Sequence, residues 1–128
     1  MKYLLDTHTL LWFIDGNAIL PAAIKEIIED KNTKCYVSTA SIWEIAIKIS
    51  LHKLYLEIEF KELYYYLLEN KIEILNIEFN HLKNVIDLPF IHRDPFDRII
   101  IAQAQHENMV IITKDDSIIK YKQIKTIW

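Results

Sequence analysis

Glycine is almost missing from this chain, with Gly16 alone among 128 residues, and there are only three prolines. A phosphate-cradling P-loop or a dinucleotide fingerprint needs several closely spaced glycines, so both are excluded. So little glycine and proline also leaves no material for linkers or low-complexity segments, and no internal repeat is visible. Cysteine is nearly as scarce. Cys35 stands alone, which rules out an internal disulfide and points to a reducing compartment. Its mid-strand setting reads as a small buried hydrophobe rather than a nucleophile. No apolar stretch approaches the roughly eighteen uncharged residues of a membrane span. The start "MKYLLDTHTLLWFID" is only superficially like a signal peptide, since Asp6 interrupts it and no small-residue cleavage site follows. A cytoplasmic protein without membrane contact is expected. A basic excess is also lacking. The formal charge of −3 excludes a general nucleic-acid-coating protein, but not a nuclease whose clustered acids offset its basic residues.

What is present is a rich apolar fraction, 52% of residues with abundant isoleucine, enough for one domain over residues 1–128 with a substantial core. "KYLLD" (2–6) reads as a buried strand ending in an acid, and "THTLLWFID" continues as a helix stopped by Gly16-Asn17. Pro21 opens the helix "PAAIKEIIEDK". Strands are expected at 34–38, 72–76, 109–113 and in the final "IKTIW". Helices are expected in "TASIWEIAIKIS", "EFKELYYYLLENK" and "EFNHLKNVIDL", after "HRDPFDR", and in a short turn at 116–121. Strands alternating with helices imply an α/β fold, a mainly parallel sheet covered on both faces.

In such a sheet, ligands bind beyond the carboxyl ends of the strands. Asp6 ends the first strand, Glu44 lies early in the helix after the second, Asp97 opens the helix after "HRDPFDR", and Asp115 with Asp116 follows "MVIIT". Taken singly, each has a plainer explanation. Asp94 before Pro95 suits a helix N-cap, Asp97 favours the helix dipole, Ser41–Glu44 matches a capping box, and Asp115 or Asp116 could start a helix. Asp6 resists that explanation best, because a cap there needs no carboxylate in particular. Jointly, four separated acids converging on one rim point to a site. Asp94 is then the cap and Asp97 the ligand. Arg93 and Arg98, the only arginines, either flank an anionic substrate or pair with neighbouring acids at the surface.

Other chemistries fit poorly. His8, His52, His81, His92 and His106 show no zinc-ligand spacing and read mostly as surface or helix-face residues. Ser38 lacks a nucleophile-elbow context. An all-oxygen acidic site suits Mg²⁺ or Mn²⁺, ions that serve phosphoryl chemistry.

The segments "LLDTHTLLWFI", "VSTASIWEIAIKISLHKL", "HRDPFDRIIIAQA" and "IITKDDSIIKY" together resemble a PIN-domain ribonuclease of the VapC toxin type, from residue 3 to about 121. The resemblance implies a three-layer α/β/α fold with strand order 3-2-1-4-5, placing Asp6 beside Asp115. It carries the family's acids onto Asp6, Glu44, Asp97 and Asp115, and its hydroxyl, which supports a water on the metal, onto Thr113. It implies endonucleolytic cleavage of RNA with Mg²⁺ or Mn²⁺, leaving a 5′-phosphate and a 3′-hydroxyl. A co-encoded antitoxin whose C-terminal segment can block the site, and a homodimer, are also implied. Among the helical aromatics, Trp12 and Trp43 read as core. Tyr64, Tyr65 and Tyr66 cannot all face inward, so part of that triplet is left for a partner.

The expected mechanism is metal-assisted in-line hydrolysis of an RNA phosphodiester. Asp6, Glu44, Asp97 and Asp115 hold one or two ions directly or through water, while Arg93, Arg98, Lys48 and Lys114 contact the phosphate backbone. Aspartyl phosphotransfer would want a second aspartate two residues after the first, where this chain has Asp6-Thr7-His8. A non-catalytic PIN-like module that grips RNA or protein would not need the complete acid set.

Overall fold

The computed structural model describes all residues, Met1 to Trp128. Five short β-branched and apolar runs form β1 (Lys2–Leu5), β2 (Lys34–Ser38), β3 (Ile72–Leu75), β4 (Val110–Ile112) and β5 (Lys125–Ile127). The segments between them form α1 (Thr7–Asp15), α2 (Ala22–Glu29), α3 (Thr39–Ser50), α4 (Phe60–Glu69), α5 (Phe79–Asp87), α6 (Pro95–Glu107) and α7 (Asp116–Ile119). The strands make one sheet in the order β3-β2-β1-β4-β5, every neighbouring pair parallel. Parallel neighbours need crossover connections, and helices occupy each of them.

Successive strand residues face opposite sides, and β1 and β4 demonstrate it. Leu4 and Ile111 join Ile100, Ile101, Ile118 and Tyr121 in one core cluster. Leu5 and Ile112 join Leu10, Val37, Ile45, Leu63 and Leu67 in the other. Cys35 is buried in that second cluster, as its mid-strand position suggested. With apolar packing on both faces the sheet is the middle of a three-layer α/β/α arrangement. No helix is long and apolar enough to cross a membrane.

Helix ends follow local chemistry. Gly16 closes α1 at φ 63°, a left-handed conformation that glycine adopts without steric cost. Asn108 closes α6 at φ 56°, in the region that Asn and Asp tolerate best among non-glycine residues. α5 and α6 pack as an antiparallel pair, with His81 near Glu107 at one end and Val85 and Leu88 near Arg98 at the other.

Some side chains depart from expectation. Trp43 is not core but 61% exposed, only its edge meeting Phe96 at 5.3 Å between ring centres. Trp12 is half-buried, and of the tyrosine triplet Tyr66 turns inward against Phe13 while Tyr64 and Tyr65 stay exposed. His81, expected on a surface, is fully buried.

The register of the two central strands sets the sheet's carboxyl end. Leu5 lies opposite Ile112 across the β1–β4 ladder, so the next residues, Asp6 and Thr113, meet there.

Candidate active site

Asp6 is buried, and its two carboxylate oxygens do different work. Oδ1 accepts the Thr9 N–H at 2.8 Å and caps α1, while Oδ2 accepts the Thr113 hydroxyl at 2.5 Å. Asp6, which resists the capping explanation best in the sequence, does cap α1, but with one oxygen only. The Thr113 hydroxyl also accepts the Asp115 N–H at 3.0 Å. Thr113 is fully buried and braces the two acids together rather than facing open space. Asp115 in turn caps α7 by accepting the Ser117 N–H at 2.8 Å. Asp6 and Asp115 line a cleft of about 350 Å³ together with His8, Trp12 and Lys114.

Asp94 caps α6, its Oδ1 accepting the N–H groups of Phe96 at 2.9 Å and Asp97 at 3.2 Å, with Pro95 in the first turn. This leaves the Asp97 side chain uninvolved in capping, one turn along. Its carboxyl is pushed up to about 7, mainly by burial and then by repulsion from Asp94, with Asp115 adding to it and a His92 hydrogen bond opposing. Burial likewise raises Asp6, against the hydrogen bonds from Thr113 and Thr9. Of the other candidate ligands, Asp115 alone bears on Asp97 electrostatically, and the residues lining the cleft of Asp6 and Asp115 do not include Asp97.

Glu44 lies alongside, buried in α3, but it is not in a capping box. Ser38 caps α3, and Ser41 sits inside the helix. The Thr7 hydroxyl donates to Glu44 Oε1 at 2.7 Å and lies 2.9 Å from the Ser41 hydroxyl. Lys48 Nζ pairs with Glu44 Oε2 at 3.2 Å. Lys48, expected on the phosphate backbone, is thus engaged with Glu44, and the two charges compensate each other.

Arg98 requires a larger correction. It is buried, 5% exposed, and its guanidinium donates to the carbonyls of Pro89, Leu88 and Val85 and to the Tyr121 hydroxyl. It also stacks on Phe90, 4.3 Å from the ring centre. Such a side chain fastens the loop before α6 and does not reach a ligand at the surface. Arg93 is exposed, beside Trp43, Phe90 and Phe96. Lys114 is exposed at the cleft wall.

The donor set suits a hard divalent cation. All candidate donors are carboxylate oxygens, and neither Asp6, Asp97 nor Asp115 is paired with a lysine or arginine. A second cluster, Glu78, His81 and Glu107, has ligand-type atoms within 4.8 Å of one another, but its chemistry is different. His81 Nδ1 accepts the Glu78 N–H at 3.0 Å, which puts the ring proton on Nε2, 3.4 Å from Glu107. A protonated ring nitrogen cannot ligate a metal, so His81 serves as a helix cap. Glu78-Phe-Asn-His81 carried this signal in the sequence as a variant capping box. Two further residues at the site escaped the sequence reading. His92 lies 3.2 Å from Asp97 and 2.9 Å from Tyr121. Its five-residue offset from Asp97 is no recognisable spacing, and Tyr121 is remote in the chain.

Comparison with known proteins agrees with this fold. The PIN domain family model matches residues 3–124. No curated protein sequence matches the chain. Among solved structures, a chain of VapBC2 from Rickettsia felis, bound to a DNA fragment from their promoter, superposes with a TM-score of 0.77 at 17% identity, covering 99% of this chain and 98% of that one. VapBC-1 from nontypeable Haemophilus influenzae gives 0.71 at 16%, covering 99% and 97%. DNA-bound VapBC from Salmonella typhimurium gives 0.68 at 15%, also covering 99% and 97%.

The crowded acids make a prediction about stability. Asp97 keeps its proton up to about pH 7 in the fold but only to about 3.9 in an unfolded chain. The folded state therefore binds more protons within that window, so stability is greatest below it and is lost as pH rises through 7. Asp6 acts in the same direction. In chelator, the wild-type melting temperature should fall between pH 4.5 and 8. Asp97→Asn should fall less and melt higher than wild type at pH 8. Parallel pH profiles for the two proteins would mean that Asp97 is not the strained group.

Proposed function

The chain belongs to the PIN domain family, and from that premise we propose that it is a Mg²⁺- or Mn²⁺-dependent endoribonuclease of the VapC type, the cytoplasmic toxin of a toxin–antitoxin pair. One observation supports this reading above all. Asp6 and Asp115 line one open cleft, Asp97 in the first turn of α6 lies within reach of the Asp115 charge, and none of the three is paired with a lysine or arginine. Such an arrangement is costly for a fold and has an evident use only when a cation neutralises it. The whole chain acts as one PIN domain in this proposal.

Asp6, Asp97 and Asp115 would hold the ion through carboxylate lone pairs that their hydrogen bonds do not use. Glu44, already bonded to Thr7 and Lys48, would act at longer range. When bound, the ion would polarise the scissile phosphate and stabilise the leaving oxygen. The chain's own residues do the rest. Thr113 fixes Asp6 relative to Asp115, and Asp94 sets the angle at which α6 presents Asp97. Lys114 and Arg93 give the RNA backbone fixed positive contacts, with Lys114 at the cleft and Arg93 along the approach to it. Arg98 has no part in substrate binding.

The chain also offers two apolar faces to partners. Phe79, Leu82 and Ile86 form an exposed stripe on α5 that continues to Phe90, the kind of contiguous apolar patch that marks an interaction surface. A second copy of the chain would cover it. A groove of about 470 Å³ lined by Ile42, Phe60, Leu63, Tyr64, Leu67 and Ile74 suits an amphipathic segment of an antitoxin. The named relatives are VapBC complexes, which supports the antitoxin reading.

Cleavage of single-stranded RNA with Mn²⁺, lost in chelator, tests the activity. Asp6→Asn and Asp97→Asn should fall to background while remaining folded. Asp94→Asn should stay within a few-fold of wild type, because Asn caps about as well as Asp. Lys114→Ala and Arg93→Ala should each reduce the salt dependence of RNA binding by about one unit of log–log slope. An Asp94→Asn protein as inactive as Asp97→Asn would refute the division of roles in this motif. Sedimentation velocity tests the dimer: wild type should run as a dimer and Ile86→Glu as a folded monomer. A monomeric wild type would reject the α5 interface.

A further inference from the structure

Around Asp97 the hydrogen bonds run in a single direction. Arg98 Nη1 donates to the Tyr121 hydroxyl at 2.9 Å, and a guanidinium can only donate. The Tyr121 oxygen therefore accepts from Arg98, and it accepts the His92 N–H at 3.4 Å as well. Its own single proton goes to the remaining neighbour, His92 Nδ1, at 2.9 Å. With Nδ1 an acceptor, the proton of a neutral imidazole sits on Nε2, which lies 3.2 Å from Asp97 Oδ2. The order is Arg98 to Tyr121 to His92 to Asp97, each donor assigned by the one before. Tyr121 and Arg98 are almost fully buried, so water does not compete for these bonds. Arg98 is itself fixed by carbonyls of Pro89 and Leu88 and by the Phe90 ring.

We propose that His92 is a positioning residue for Asp97, and that Arg98 and Tyr121 exist to hold it in the Nε2-protonated tautomer. The opposite tautomer would aim a lone pair at the Asp97 carboxylate and repel it. In the tautomer present, His92 occupies Oδ2 from the loop side and leaves Oδ1 available to a cation. The role rests on the reading of Asp97 as a cation ligand. It assigns a function to the buried arginine of "HRDPFDR" that is independent of RNA: it is the anchor of the metal site's scaffold. Partners that orient metal ligands in this way commonly contribute tenfold or more to metal affinity.

Three measurements test it. In the metal-free protein, nitrogen NMR of the His92 ring should show Nδ1 bare and Nε2 protonated, and Tyr121→Phe should lose that preference. Calorimetry with Mn²⁺ should show affinity reduced about tenfold or more in His92→Ala, with part of it restored in His92→Gln, whose amide N–H can still donate to Asp97. The His92 side chain is only 16% exposed, so melting temperatures of both variants separate lost packing from the lost hydrogen bond. In RNA cleavage, His92→Ala should lower kcat at limiting Mn²⁺ while keeping a wild-type melting temperature in chelator, which a merely loosened fold would not do. A wild-type His92 protonated on Nδ1 overturns the relay, and wild-type Mn²⁺ affinity in His92→Ala overturns the positioning role. Wild-type protein with the expected tautomer but no Mn²⁺ binding rejects Asp97 as a ligand, and the positioning role with it. Reduced Mn²⁺ affinity in His92→Ala, with no RNA cleavage by wild type, sustains the proposal and rejects the nuclease reading instead.

Discussion

Like charges held close together at the end of a parallel sheet are the constraint on which this molecule turns. The β1–β4 register puts Asp6 beside Thr113, and the Thr113 hydroxyl ties Asp6 to the backbone of Asp115. Asp97, in the first turn of α6, has its carboxyl raised by burial and by the charges of Asp94 and Asp115. Nothing in the core requires this crowding. The two apolar clusters that hold the sheet between its helices provide the rigidity that keeps the acids together against their mutual repulsion, a common expense of functional sites.

The acids are held in place largely by the helices they start. Asp6 caps α1, Asp94 caps α6 and Asp115 caps α7, each through one oxygen. A cap normally satisfies an otherwise orphaned N–H and no more. Here it also orients a carboxylate, so its second oxygen has a defined direction. The same device sets α6 at the angle that presents Asp97. Capping and ligand geometry are thus one arrangement seen from two sides, and the choice between them posed by the sequence does not arise for Asp6 or Asp115.

Much of this was legible in the chain. Alternating strand and helix patterns located every element, with boundaries shifted by a few residues at most, because short apolar runs bounded by polar residues leave little choice. The strand-end acids were visible for the same reason. What escaped was decided by tertiary contacts. Arg98 looked like a surface cation because charge is read locally, yet carbonyls at Pro89, Leu88 and Val85 and the distant Tyr121 hydroxyl surround it. Trp43 looked like core by size, but α3 turns Ser41, Glu44 and Ile45 inward instead. Ser41 and Glu44 seemed a capping box until Ser38 took the cap. His81 gave no sign of burial, since its place is fixed by the α5–α6 pairing and by the Glu78 backbone.

One compact cluster of ligand-type groups, Glu78, His81 and Glu107, thus stands apart from the aspartates proposed to hold a cation, and hydrogen-bond accounting separates the two. The Glu78–His81–Glu107 group has its imidazole committed to a backbone N–H, whereas the carboxylate oxygens of the sheet-end aspartates keep lone pairs beyond those their hydrogen bonds use, with no lysine or arginine paired to them. Anomalous scattering from crystals grown with Mn²⁺ is the most direct test of that distinction. A peak bounded by Asp6, Asp97 and Asp115 is the expected result. A peak only at Glu78, His81 and Glu107, or none at saturating Mn²⁺, would contradict it.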